Sequence, residues 1–131
     1  MGVFRFADAA RLLGVSDDTV RRWADSGRIA ATVDEGGRRA VEGVELARIA
    51  LTLGTPDSPG RAGGTSARNR FVGIVTDVRR DAVMAQVQLQ CGPHRVVSLM
   101  SRDAADELGL EPGVLASAVI KATQVIVELP T

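Results

Sequence analysis

Ala9-Ala-Arg-Leu-Leu-Gly-Val-Ser-Asp-Asp-Thr-Val-Arg-Arg-Trp-Ala-Asp-Ser-Gly27 reads as two short helices joined by a tight turn. Ala9, Ala10, Leu12 and Leu13 form an apolar stripe at helical spacing, and Gly14 supplies the left-handed residue that ends it. Ser16 then caps a second helix running from Asp17 to about Ser26. Asp17 and Asp18 fall in its first turn, where the helix dipole favours anions. Val20 and Trp23 share one face, with Ala24 beside them, so Arg21, Arg22 and Asp25 point elsewhere. Trp23 is assigned to the core between the helices, the usual place of such a large apolar ring.

Outward from this stretch, Gly27 stops the helix, and Arg28–Val33 and Arg38–Val41 flank Asp34-Glu-Gly-Gly37, a hairpin-turn signal. Val44, Leu46, Ala47, Ile49, Ala50, Leu51 and Leu53 form a third, mostly apolar helix. The short junction between the first two helices is that of a helix-turn-helix, and the hairpin is its wing. Residues 54–65 hold four glycines and two prolines in twelve positions and almost no aliphatic surface, the composition of a flexible linker.

Beyond it the period changes to two. Val83, Ala85, Val87, Leu89 and Cys91 alternate with Met84, Gln86, Gln88 and Gln90, a half-buried strand. Phe71–Val78 precedes it as a strand, and Gly92-Pro93 turns into a third at His94–Met100. Ser101 caps a short helix, Arg102–Leu108, closed by Gly109, and Leu115–Ala122 and Val125–Leu129 supply two last strands. The expectation is an α+β chain of two domains: a winged helix-turn-helix over 1–53 and, over 66–131, a five-stranded OB-like barrel with one short helix.

Composition excludes several functions. The chain has 131 residues, with 16 basic against 16 acidic side chains, so any attraction to nucleic acid comes from local arrangement of charge. A single cysteine, Cys91, excludes an intrachain disulfide and a Cys-based zinc site, and a single histidine, His94, excludes a His cluster. Cys91 is read as a buried small hydrophobe and His94 as a turn residue. No apolar run approaches the ~20 residues of a membrane span, and the N-terminus has no signal-peptide stretch. The expected protein is cytoplasmic, and no nucleophile–base set or carboxylate pair makes it an enzyme. Pieces of this size sit at the small end for independent folding, and oligomerisation is the remaining way to add buried area.

Ala9–Ser16, Thr19-Val-Arg-Arg-Trp23, Gly27-Arg-Ile29 and Gly36-Gly-Arg-Arg39 resemble the winged helix-turn-helix of MerR-type regulators and excisionases over roughly residues 5–53. Phe6 departs from the Ser or Thr that family members place as first-helix cap. The resemblance implies double-stranded DNA as partner. The second helix then offers Asp18, Thr19, Arg21 and Arg22 to the major groove, with Arg38 and Arg39 on the wing and Arg28 at its base. Asp17 and Asp18 count against high affinity for one copy, so several copies act together.

Ser66-Ala-Arg-Asn69, Gly73 with Asp77, Glu107-Leu-Gly-Leu-Glu-Pro-Gly113 and Ile120-Lys-Ala-Thr123, taken in this order, resemble the molbindin (Mop) family, also called the TOBE domain. That resemblance implies binding of molybdate or tungstate at interfaces of a trimer or hexamer. By position it implies contacts from Ser66, Arg68, Asn69, Lys121 and Thr123, with Ala67 and Ala122 offering backbone N–H groups. The anion is held by hydrogen bonds, with no direct metal ligation. Gln124 stands where the family often has Ser. The chemistry agrees independently: molybdate presents four acceptor oxygens and no proton at neutral pH, so its site must consist of donors, and neither motif contains a carboxylate. Micromolar binding needs about 8 kcal/mol. One charge pair at ~4 Å and an effective dielectric of ~20 supplies about 4 kcal/mol before desolvation. Lys121 is the only lysine against fifteen arginines, a compact point charge in an Arg-dominated chain.

The combined expectation is a transcriptional regulator, like the molybdate-responsive regulators, that binds DNA through its first domain and senses the oxyanion through an oligomeric second domain. Two alternatives stand beside it. One is a storage or homeostasis protein whose helix-turn-helix no longer reads DNA, and the other a DNA-binding regulator whose barrel only oligomerises.

Overall fold

A computed structural model describes residues 2–53 and 65–130, and these fall into two units, one on either side of residues 54–64. The linker expected over 54–65 therefore lies, Thr65 apart, outside the described residues.

In the first unit, α1 (Phe6–Leu13) and α2 (Asp17–Asp25) form the expected helix-turn-helix. Gly14 adopts φ 72°, and its N–H reaches back to the carbonyls of Ala10 and Arg11, closing α1 where an L side chain would be strained. The Ser16 hydroxyl accepts the Thr19 N–H at 3.1 Å, as a helix cap should. Arg5 sits at the head of α1 and makes no side-chain cap. That start is fixed instead by a strand the sequence did not announce, β1 (Val3–Arg5), which pairs antiparallel with β3 (Arg39–Glu42) from Val3↔Glu42 to Arg5↔Ala40. Three residues are too few to display a period.

The hairpin partner of β3 is shorter than expected. Only Thr32 and Val33 form β2, giving a three-stranded sheet in the order β1-β3-β2. Upstream the backbone donors are already committed: the Ile29 N–H goes to the Trp23 carbonyl at 3.2 Å and the Ala30 N–H to the Glu45 carboxylate at 2.9 Å. The third helix, α3 (Gly43–Leu53), turns Leu46, Ile49 and Leu53 inward onto Phe6, Ala9, Ala10, Val20, Ile29 and Val41. Trp23 corrects the expectation of a core anchor. It is half-buried at the rim of this cluster, and its exposed face carries the Arg28 guanidinium 4.6 Å from the ring centroid.

The second unit is one antiparallel sheet in the order β6-β5-β4-β7. Its strands are β4 (Asn69–Arg80), β5 (Met84–Cys91), β6 (His94–Ser101) and β7 (Leu115–Ile120). The expected alternation holds from Ala85 on: Ala85, Val87, Leu89 and Cys91 are buried with Val75, under a lid of Ala105 and Leu110 from α4 (Arg102–Glu107) and the turn after it, whereas Val83 precedes the strand and is exposed. Strand β4 is the spine. Its first half pairs with β7, its second with β5, and a bulge between Val75 and Asp77 lets it curl from one to the other.

The expected fifth strand is not present among the described residues. Strand β7 ends at Ile120 rather than Ala122, because Lys121 heads a single 3-10 turn, Ala122–Gln124, that takes the chain off the ladder. Val125–Leu129 then runs without a strand partner, leaving Ile126 90%, Val127 88% and Leu129 87% exposed. A strand needs an edge to pair with, and this segment has left the edge of its own sheet. Among the described residues the unit is thus a curled four-stranded sheet with an unpaired apolar tail, and they form no closed five-stranded barrel.

Gly73 marks a close approach of β4 to β5. A Cβ there would collide with the Gln90 carbonyl oxygen and lie 2.6 Å from Cys91 Sγ, both on the paired strand. Gly73→Ala is therefore expected to cost about 1–3 kcal/mol by overpacking, read as a lower midpoint of chemical denaturation for the second unit.

Candidate functional site

The two polar motifs of the second unit meet because of strand register. Asn69 opens β4 and faces Ile120, the last residue of β7, so Ser66–Asn69 and Lys121–Thr123 begin side by side at one corner of the sheet. The Asn69 amide nitrogen donates to the Ile120 carbonyl at 3.0 Å, a clasp between them. The Ala67 N–H is directed to Thr65 Oγ1 at 3.1 Å, and Arg68 reaches the Thr65 carbonyl at 3.5 Å. Ser66, Arg68, Lys121, Ala122 and Thr123 are exposed, and Ala67 and Asn69 half-buried. Among the described residues neither Arg68 nor Lys121 is in an ion pair. This corner therefore presents hydroxyls, amides and two cations, a donor set suited to a proton-free anion, but it lies open to solvent in a single chain.

The arginines of the first unit divide into two groups that sequence alone did not separate. Arg21 is held by Asp18 at 2.8 Å, and Arg39 by Asp25 at 3.1 Å, with the Arg39 guanidinium also 4.9 Å over the Phe6 ring. Among the described residues Arg22 donates only to the neutral Thr19 hydroxyl, at 3.2 Å, and Arg28 stacks on Trp23. Arg38 is exposed and, among the described residues, has no carboxylate partner. Asp18 and Thr19 thus act first within α2, as partners of arginines one turn on.

The wing is built on Asp34. Its carboxylate accepts the N–H groups of Gly36 at 2.9 Å and Arg38 at 3.0 Å and the Arg5 guanidinium at 3.3 Å, while Gly37 takes φ 78° to close the turn. Those bonds hold its pKa below the ordinary aspartate value, the Arg38 N–H contributing most. At the base of the wing, Glu45 is similarly lowered, chiefly by Arg48 and then by the Ala30 N–H, and Arg48 also donates to the Arg28 carbonyl at 3.0 Å. The i,i+3 spacing of Glu45 and Arg48 was visible in the sequence. The reach of Asp25 to Arg39 was foreshadowed only by an acid at a helix C-terminus, where the dipole disfavours it.

Comparison with known proteins finds a match in each unit. Residues 65–127 match the TOBE domain family, and residues 3–50 match a helix-turn-helix domain family. Molybdenum-pterin-binding protein 1 of Clostridium pasteurianum is 36% identical over 63 residues, covering 47% of this chain and 93% of that protein. A probable molybdenum-pterin-binding protein of Haemophilus influenzae is 43% identical over 63 residues, covering 47% of this chain and 91% of that protein. Among solved structures, the cytoplasmic molybdate-binding protein ModG, in a form with molybdate bound, is 43% identical with a TM-score of 0.49, covering 51% of this chain and 48% of that one.

The lowered pKa values of Asp34 and Glu45 fix a pH dependence. A carboxylate whose folded pKa lies below its unfolded value contributes stability above the unfolded value, and that contribution disappears as pH falls through the folded one. The first unit should hold its denaturation midpoint from neutrality down to about pH 4 and lose it below. Asp34→Asn should flatten that acid limb when the midpoint is followed against pH.

Proposed function

The chain belongs to the TOBE-domain family of molybdenum-pterin-binding proteins, and from that premise we propose that it is a DNA-binding regulator that senses molybdate or tungstate. The observation that carries this reading is the union, in one chain, of a donor-only corner at Ser66–Asn69 and Lys121–Thr123 with a helix-turn-helix whose α2 and wing bear Arg22 and Arg38. Arg68 and Lys121 supply the attraction for a dianion. Ser66, Asn69, Thr123 and the Ala122 N–H fix its size and offset lost hydration, and the Ala67 N–H joins them by exchanging its bond to Thr65. The reading is of a binding protein without catalysis, working in the cytoplasm, the compartment given for ModG.

Assembly completes the site. Water competes at an exposed corner, and a second copy packed over it excludes water and strengthens each charge–anion contact. The apolar tail Val125–Leu129 and the open edges at β6 and β7 provide the means, each edge being able to accept a strand from a neighbour. A trimer or hexamer built this way gathers several DNA readers, and anion binding acts by stabilising the assembly and raising their local concentration. The storage reading draws support from the neutralisation of Arg21 and Arg39 by acids on α2. Titration of labelled duplex DNA at fixed salt, with and without molybdate, separates the two. Regulation predicts curves that differ, and storage predicts no salt-dependent DNA binding in either.

Isothermal titration should show molybdate and tungstate binding, with sulfate as the comparison, and Lys121→Ala or Arg68→Ala should weaken binding tenfold or more, about 1.4 kcal/mol. In sedimentation, Ile126→Asp should shift the protein toward the monomer and weaken molybdate binding with it. A monomeric wild type that binds molybdate as tightly would remove the shared-site reading.

A further inference from the structure

Asp25 is misplaced if helix stability is all that matters. It is the last residue of α2, where the helix carries partial negative charge and an anion is disfavoured. Its partner is not on its own helix but on the wing: Arg39, fourteen positions on, lies 3.1 Å from its Oδ1 and over the Phe6 ring. The neighbouring Arg38 is exposed and makes no such pair among the described residues, and its backbone is fixed separately by Asp34. So, among the described residues, the wing presents one cation without a carboxylate partner and one whose charge is already met by a carboxylate. Both side chains of the pair remain about half exposed or more, Arg39 at 47% and Asp25 at 63%, and exposed ion pairs are weak enough to be exchanged for another anion.

From this geometry we infer that Asp25 is a specificity-determining residue of the DNA-binding unit, an internal stand-in for a phosphate that keeps Arg39 from adding to sequence-independent binding. This rests on the DNA reading given above. A phosphate that meets only Arg38 gains one contact. A duplex whose backbone also passes Arg39 must displace the Asp25 carboxylate and bring a phosphate close to it, so the second contact forms only where the fit is good enough to offset that exchange. Asp25→Asn removes the competing charge while keeping the side-chain shape, and it lightens the C-terminal end of α2, so the fold should persist.

The test uses the full chain and a fluorescent duplex of mixed random sequence, with Kd measured by anisotropy across a potassium chloride series. Asp25→Asn should bind this DNA several-fold tighter than wild type at low salt. Its plot of log affinity against log salt should be steeper by about one unit, the signature of one added phosphate contact. In the double variant Asp25→Asn/Arg39→Gln, the slope should return to the wild-type value, because the freed guanidinium is gone. A tighter Kd with no change in slope, or a steeper slope that survives in the double variant, overturns the proposal, since the gain then comes from the general field and not from Arg39. Weaker binding by Asp25→Asn, with an unchanged thermal melt, also overturns it and makes the pair a strut for the wing. Failure of the underlying DNA reading looks different: wild type and both variants show no salt-dependent binding at all.

Discussion

Everything in the second unit hangs on the antiparallel register of β4 against β7. With Asn69 opposite Ile120, two stretches separated by fifty residues of sequence start from the same rung. A slip of one residue would send every side chain of β7 to the other face and move Lys121 away from Arg68. The register is held from both ends: by the Asn69–Ile120 clasp at the corner, and by backbone bonds at the other, where the Val75 N–H donates to the Val114 carbonyl at 2.9 Å and the Gly113 N–H to the Val75 carbonyl at 2.8 Å. The bulge at Thr76 then turns the remainder of β4 onto β5, so one long strand serves both sides of the sheet. Backbone pairing along β4 and β7 thereby fixes the position of chemistry at the end of the strand.

The first unit uses charge sparingly. Several arginines of α2 and the wing are already spoken for, by Asp18, by Asp25 or by an aromatic ring. What remains for an outside partner is less than the raw count suggests, in keeping with a chain of zero formal net charge. On the proposed DNA-binding reading, such a surface relies on multiplicity more than on the strength of one copy, and the open sheet edges and bare apolar tail of the second unit are the proposed route to it.

Local signals were the legible ones. The caps at Gly14 and Ser16, the Asp34–Gly37 turn and the two-residue alternation of β5 each depend on neighbours in sequence, and each appears in the structure as read. The features that were missed involve partners far apart. Strand β1 is too short to carry a pattern and exists because β3 offers it an edge. The first hairpin strand was overestimated because Ile29 and Ala30 spend their N–H groups on Trp23 and Glu45. Val125–Leu129 has the pattern of a strand, but pattern cannot say whether an edge lies within reach. At the candidate sites, residue types were legible from donor chemistry, whereas the Asp25–Arg39 pairing required the fold.

The seat of Arg28 on Trp23 has a practical corollary. The chain holds one tryptophan and no tyrosine, so its near-ultraviolet emission originates from a single indole in the first unit. That indole is half in water and has a guanidinium parked 4.6 Å above its face. Any partner that draws Arg28 away changes the field and the quenching at the ring, and the second unit contributes no background. The native chain thus carries its own optical reporter at the base of the wing, with no dye to attach.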